Sequence, residues 1–207
     1  MNQKLCIFLL GAGASGKSTT TKAFANGNPV QYQEMIDANT MKGIRPMKTT
    51  WTVYNNCALA GNHNSGSDAN NGPGVIRSAW LKCMDASNIV IVDGMMISPQ
   101  WAQMVQNWAG DHKNVQLGIL LVHFDLTAEQ VLERLSSRRG VDKESIRSKM
   151  MEKCIRNVAR PIDGFRYFDD HCSSIPTTTL KIYVEDSTAE IVKLMQNEVD
   201  EYFIGNW

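Results

Sequence analysis

The apolar run Leu5 to Leu10 stops at Gly11 and opens into Gly11-Ala12-Gly13-Ala14-Ser15-Gly16-Lys17-Ser18-Thr19. That segment fits the pattern Gly-x-x-x-x-Gly-Lys-Ser/Thr. A short apolar run without alternation suits a strand buried on both faces of a parallel sheet, and a helix is expected from about Gly16. The glycines allow a tight turn with N–H groups pointing inward. Together with the helix N-terminus they form a cradle for a phosphate. Lys17 then supplies a charge to the β and γ oxygens of a triphosphate, and the Ser18 hydroxyl a ligand for Mg²⁺.

The rest of the chain repeats the alternation of strand and helix. Apolar runs recur at Ile89 to Val92, Gln116 to Phe124 and Leu180 to Val184. Helical spacing follows or separates them. Val75, Ile76, Ala79, Trp80, Cys83 and Met84 form one stripe after Gly72-Pro73-Gly74. Ser98-Pro99 reads as an N-cap and first-turn proline before Trp101, Val105 and Trp108, with Gly110 as the stop. Thr127 and Gln130 predict a capping box before Val131, Leu132 and Leu135. Ile146, Met150, Cys154 and Val158 predict a helix that Pro161 ends. A last helix, Ser187 to about Phe203, buries Ile191, Met195, Val199 and Tyr202. Strands alternating with helices imply a parallel α/β sheet.

The stretch Asn26 to Pro73 breaks this rhythm. It predicts a hairpin or strand over Trp51 to Leu59, followed by the polar, glycine-rich loop Gly61 to Gly72, a composition that favours a functional loop. With 207 residues and 43% hydrophobic residues the chain has material for a single domain. Its 21 basic and 21 acidic side chains cancel, which excludes the long-range positive field of a non-specific nucleic-acid coat protein but leaves room for a local basic groove. No apolar run approaches the roughly 20 residues that span a bilayer, so a soluble, cytoplasmic protein without membrane contact is expected. The 5 cysteines lack a C-x-x-C pair and read as reduced thiols, mostly packing residues, rather than as disulfides or a zinc site.

Two further segments carry chemistry. Asn88-Ile89-Val90-Ile91-Val92-Asp93-Gly94 is an apolar strand that delivers a carboxylate at its C-terminal end, and Asp93 is the expected second metal ligand beside Ser18. On the Thr127 helix, Arg134 and Arg138 are four residues apart and share a face, so they can converge on a phosphate. The planar guanidinium fork suits a transferring phosphoryl group.

At these residues the chain resembles the P-loop kinases. Gly11 to Thr19 looks like their Walker A loop, Val90 to Gly94 like their Walker B strand, and Arg134 to Gly140 like their arginine-bearing lid. The resemblance implies an α/β P-loop NTPase fold: a five-stranded parallel sheet with helices on both faces and a short lid. In a single domain spanning 1–207, the core would be 1–30, 73–126 and 161–207, the acceptor-side insert about 31–72 and the lid about 127–160. It also implies ATP and Mg²⁺ at Gly11, Ala12, Gly13, Ala14, Ser15, Gly16, Lys17, Ser18 and Thr19, with metal on Ser18 and Asp93. The nucleoside monophosphate kinases continue Asp-Gly with an aromatic residue, proline and arginine, where this chain reads Asp93-Gly94-Met95-Met96-Ile97.

The stretch Trp51 to Trp80, above all Ala60 to Asp68, is similar to the insert of phage-encoded kinases that act on 5-hydroxymethyluracil in DNA. The acceptor this resemblance implies is hydroxymethyluracil-containing DNA. Lys42, Arg45 and Lys48 precede Trp51 and Tyr54, interleaving cations with stacking groups. Asp68 is the carboxylate that the loop would bring to an acceptor hydroxyl as general base, with Asp37 and Asp93 as competitors, and His63 would orient the acceptor. A nucleotide or other small hydroxyl compound is the alternative acceptor. A regulatory NTPase is the alternative class, although the base-reading N-K-x-D and the D-x-x-G loop of GTPase switches are absent.

Overall fold

The computed structural model describes residues 2–40, 43–61, 73–93, 99–183, 185–205 and 207. In chain order the elements are β1 (Asn2–Leu10), α1 (Lys17–Phe24), β2 (Val30–Thr40), β3 (Gly43–Val53), β4 (Ala58–Ala60), α2 (Pro73–Ala86), β5 (Ile89–Asp93), α3 (Pro99–Asp111), β6 (Val115–Phe124), α4 (Ala128–Arg139), α5 (Lys143–His171), β7 (Thr177–Ile182) and α6 (Thr188–Phe203).

The sheet has seven strands in the order β2-β3-β4-β5-β1-β6-β7, and it is mixed. This corrects the expected five-stranded parallel sheet. Strands β4, β5, β1, β6 and β7 pair in parallel with one another. β2 and β3 form an antiparallel hairpin added to the β4 edge. Strand β2 was not foreseen, because Glu34 interrupts the alternation of Val30, Tyr32, Ile36 and Ala38. In the structure Glu34 is paired with Lys82 of α2 at 2.7 Å. Of the hairpin or strand predicted over Trp51 to Leu59 the structure has the hairpin: the end of β3, a turn and β4, paired antiparallel.

Strand β1 lies at the centre because its apolar part tolerates no water: Leu5 to Leu10 are each no more than 1% exposed. Burying side chains of this kind contributes about 1.5–3 kcal/mol apiece. Alternation sends Cys6, Phe8 and Leu10 to a face covered by α2, α3 and the C-terminal half of α5. There Phe8 packs against Trp101 at 5.8 Å and Phe168 at 4.9 Å between ring centroids. Leu5, Ile7 and Leu9 go to the other face, under α1 and α6. A third cluster joins Ala12 to Val131, Leu132 and Cys154, seating α4 and the N-terminal half of α5 over the glycine loop.

Pro161 does not end its helix. Helix α5 continues to His171. The missing N–H weakens one turn, but Phe168 and Cys172 beyond it are both 1% exposed, and that burial overrides the local preference. The capping box at Thr127 and Gln130 is present, as is a second at Ser187 and Glu190. All five cysteines are free and buried. Burial pushes the thiols of Cys6 and Cys57 up to about 12, so they are inert packing groups. No helix among the described residues is long and apolar enough to cross a membrane.

Candidate active site

The chain leaves β1 for the β2–β4 side, returns to β5 beside β1, and then crosses to β6 on the other side. The carboxyl ends of β5, β1 and β6 therefore flank a topological switch point, where open α/β sheets bind ligands. Gly11 follows β1 at this edge, and Asp93 ends β5 at the same level, with Leu9 opposite Asp93 in the register.

The loop is built from strained and close-packed backbone. Gly16, the N-cap of α1, is left-handed with φ 106°. Ala14 is also left-handed at φ 63°, an arrangement that costs a residue with a Cβ about 1–2 kcal/mol. A Cβ on Gly11 would stand 2.9 Å from Cβ of Phe124 and 3.0 Å from Oγ of Ser15. The turn can pass under Phe124 only as glycine. The first N–H groups of α1 have no partner within the helix and carry its positive pole.

Lys17 opens α1 and is 5% exposed. Its Nζ donates to the carbonyl oxygens of Gly11 at 2.9 Å and Ala12 at 2.8 Å, and to Ser15 Oγ at 3.1 Å. The ammonium is thus held within the loop. The Ser18 hydroxyl donates to Asp93 Oδ2 at 2.5 Å, joining the start of α1 to the end of β5. Asp93 is 0% exposed, and its Oδ1 has no hydrogen-bond partner among the described residues. A buried carboxylate with one unsatisfied oxygen is costly, and a cation beside it removes the cost. A carboxylate and a hydroxyl are hard oxygen donors, the kind that Mg²⁺ takes.

Of the two arginines only Arg134 reaches the loop. Its Nη1 donates to the Ser15 carbonyl at 2.8 Å and lies 3.9 Å from the position of a Cβ on Gly16. Arg138, a turn further on, is exposed in the last turn of α4. Asp68, His63, Lys42 and Gly94 lie outside the described residues. Asp37, Arg45 and Lys48 are exposed on the β2–β3 hairpin. Tyr54 sits in the β3–β4 turn, at the amino edge of the sheet, so it cannot stack on an acceptor beside Asp93. Trp51 is at the carboxyl edge, but its ring is already stacked on Tyr32 at 5.5 Å, with Lys82 Nζ 5.9 Å from its centroid.

No protein-family model matches the sequence, and no curated protein matches it. The chain is similar to a fungal RNA kinase. The likeness covers 98% of this chain and 88% of that one, with a TM-score of 0.53 and 14% sequence identity. At that identity the likeness shows a shared α/β fold.

Three site features escaped the sequence. Phe124 covers the turn at Gly11 from the end of β6, a contact across 113 positions that no local pattern announces. Tyr32 backs Trp51 through cross-strand register. His123, 7% exposed, lies opposite Leu10 with its ring 5.0 Å from Phe165 of α5. Its position at a strand's carboxyl end next to β1 was the available signal.

Proposed function

We propose that the protein is an ATP-dependent kinase of the P-loop type, transferring the γ-phosphoryl group to a hydroxyl, with the hydroxymethyl group of 5-hydroxymethyluracil in DNA as acceptor. The observation that carries the kinase reading is the Ser18–Asp93 hydrogen bond at the mouth of the Gly11–Thr19 loop. Two segments separated by 75 positions converge there on the oxygen donors that a Mg²⁺-triphosphate requires.

In this reading the loop N–H groups and the pole of α1 hold the β-phosphate, and Lys17 exchanges its internal carbonyl partners for β and γ oxygens. Ser18 and Asp93 would hold Mg²⁺, which when bound neutralises charge on those oxygens. The acceptor hydroxyl oxygen bonds to the γ-phosphorus while the bond to the β–γ bridging oxygen breaks and ADP leaves. The hydroxyl proton passes to a carboxylate, for which Asp68 is the proposed base. Arg134, already over the loop, shifts from the Ser15 carbonyl to the transferring group. A base buried in a stack cannot present its substituent to this edge, so the nucleotide must be extrahelical or single-stranded.

The test is label transfer from γ-labelled ATP to DNA containing 5-hydroxymethyluracil, to the same DNA with thymine, and to free deoxynucleoside monophosphates. Label is expected on the modified DNA alone, and Lys17→Ala should abolish it. Label on the mononucleotides but not on the modified DNA overturns the acceptor. Wild-type transfer by Lys17→Ala overturns the site.

A further inference from the structure

Helix α5 carries a pattern that the phosphate site does not use. Lys149, Lys153, Arg156 and Arg160 follow one another at intervals of four, three and four. At about 100° per residue they fall within an arc of about 60° along about 16 Å of helix. No acidic residue of α5 falls inside that arc, although Glu152 and Asp163 border one side. All four side chains are exposed. Among the described residues none of the four has an ion-pair partner. Lys143 and Arg147, on the same helix, do: both reach Glu129, and Arg147 also reaches Glu144. Like charges three and four apart weaken a helix, so this spacing is not explained by helix stability.

The position of the stripe follows from the helix's contacts. Arg147 faces α4 through Glu129, and the four cations are rotated roughly 180–240° from it, so they point away from α4. Phe165 meets His123 at the carboxyl end of β6, and Phe168 meets Phe8 deeper in β1. The turns before Phe165 therefore rise beyond the carboxyl edge, where the Gly11 loop and Asp93 lie. On the other side of β1 the β2–β3 hairpin rises past the same edge. Trp51 pairs with Ala60 and Tyr32, and β3 begins eight positions earlier, at Gly43. Two walls thus stand over the edge, and the α5 wall presents a row of cations.

We propose that the face of α5 bearing Lys149, Lys153, Arg156 and Arg160 docks the phosphodiester backbone of a single-stranded DNA acceptor and directs its reactive nucleotide to the site at Ser18 and Asp93. The proposal rests on the kinase reading above and adds the surface that distinguishes a polymer from a free nucleotide. Charge complementarity selects the occupant. The row of cations extends over several backbone phosphates and holds no apolar residue, and a free mononucleotide could engage only one end of it. Local concentration of charge also reconciles a DNA acceptor with a chain whose formal net charge is +0.

The experiment measures anisotropy of a dye-labelled single-stranded oligonucleotide, with thymine or 5-hydroxymethyluracil, across a salt series. The proteins are wild type, the fourfold change Lys149→Gln, Lys153→Gln, Arg156→Gln, Arg160→Gln, and Lys193→Gln on α6 as a charge control. Each phosphate that a variant no longer neutralises should lower the slope of log K against log salt by roughly 0.7. The fourfold variant should therefore lose up to about 2.8 in slope and at least about tenfold in affinity. Lys193→Gln should behave as wild type, and ATP affinity should be the same in all three. A fourfold swap between lysine and arginine keeps the charge and should keep the slope, which separates charge from damage to the helix. Equal slopes for wild type and a folded fourfold glutamine variant overturn the proposal, as does a wild type that binds no oligonucleotide. If wild type shows a stripe-dependent slope yet transfers no phosphate to either DNA, the surface stands and the acceptor reading falls. If it phosphorylates modified DNA and the stripe variant does so equally well, the acceptor stands and the surface falls.

Discussion

Arg134 and Arg138 share a helix face, but only Arg134 has reached the Gly11–Thr19 loop. The Arg134 guanidinium rests on the Ser15 carbonyl, while Arg138 is exposed at the end of α4. Arg134→Ala should lower kcat by about 10- to 1,000-fold, as expected if the lost charge is worth roughly 1.4 to 4 kcal/mol in the transition state. Arg138→Ala should cost several-fold less, and steady-state kinetics on both variants checks the order. His123 supplies a second test. Burial pushes its imidazole below the ordinary range and Lys181 adds to the effect, while Asp125 opposes it. Phe165, facing it from α5, offers no charge. A depressed folded pKa means that the unfolded chain binds the proton more readily. Stability is then fully present above the ordinary value near 6.5 and is lost as pH falls through the lowered one. Melting temperature should decline over that acid range in wild type and decline less in His123→Leu; equal slopes would remove the histidine from the account.

Pairs of elements rest on a few close approaches. Gly118 in β6 lies under Tyr202 of α6, where an added Cβ would stand 2.4 Å from the ring. That ring cannot retreat, because its hydroxyl donates to the carbonyls of Gln116 at 2.7 Å and Lys4 at 3.0 Å. Gly118→Ala should therefore destabilise the protein by about 1–3 kcal/mol in denaturant unfolding. Local signals revealed most of the elements: the apolar runs of β1, β5 and β6, and the capping boxes of α4 and α6, all depend on neighbours in sequence. What was hidden depends on distant partners. β2 looks polar until Lys82 is seen beside Glu34, and α5 passes Pro161 because Phe168 and Cys172 find the sheet. The site divides in the same way. Lys17, Ser18 and Asp93 belong to contiguous patterns, whereas Phe124 over Gly11 requires the topology.

At the scale of the molecule, the central strand governs the arrangement. β1 pairs with β5 on one side and β6 on the other. Every other layer is positioned from it, including the loop that follows it and the carboxylate beside it. The same centrality has a consequence for how the protein is made. β1 is synthesised before its partners, for those of Leu5 are Ile89 and Gly118, far downstream. At about 5–20 residues per second, a ribosome takes roughly 5 to 20 s to deliver both neighbours, and during that interval the most water-averse strand of the protein has nothing to pair with. A nascent chain of this design should attract hydrophobic-segment chaperones at Leu5 to Leu10, and its yield should depend more on translation speed and temperature than its final stability suggests.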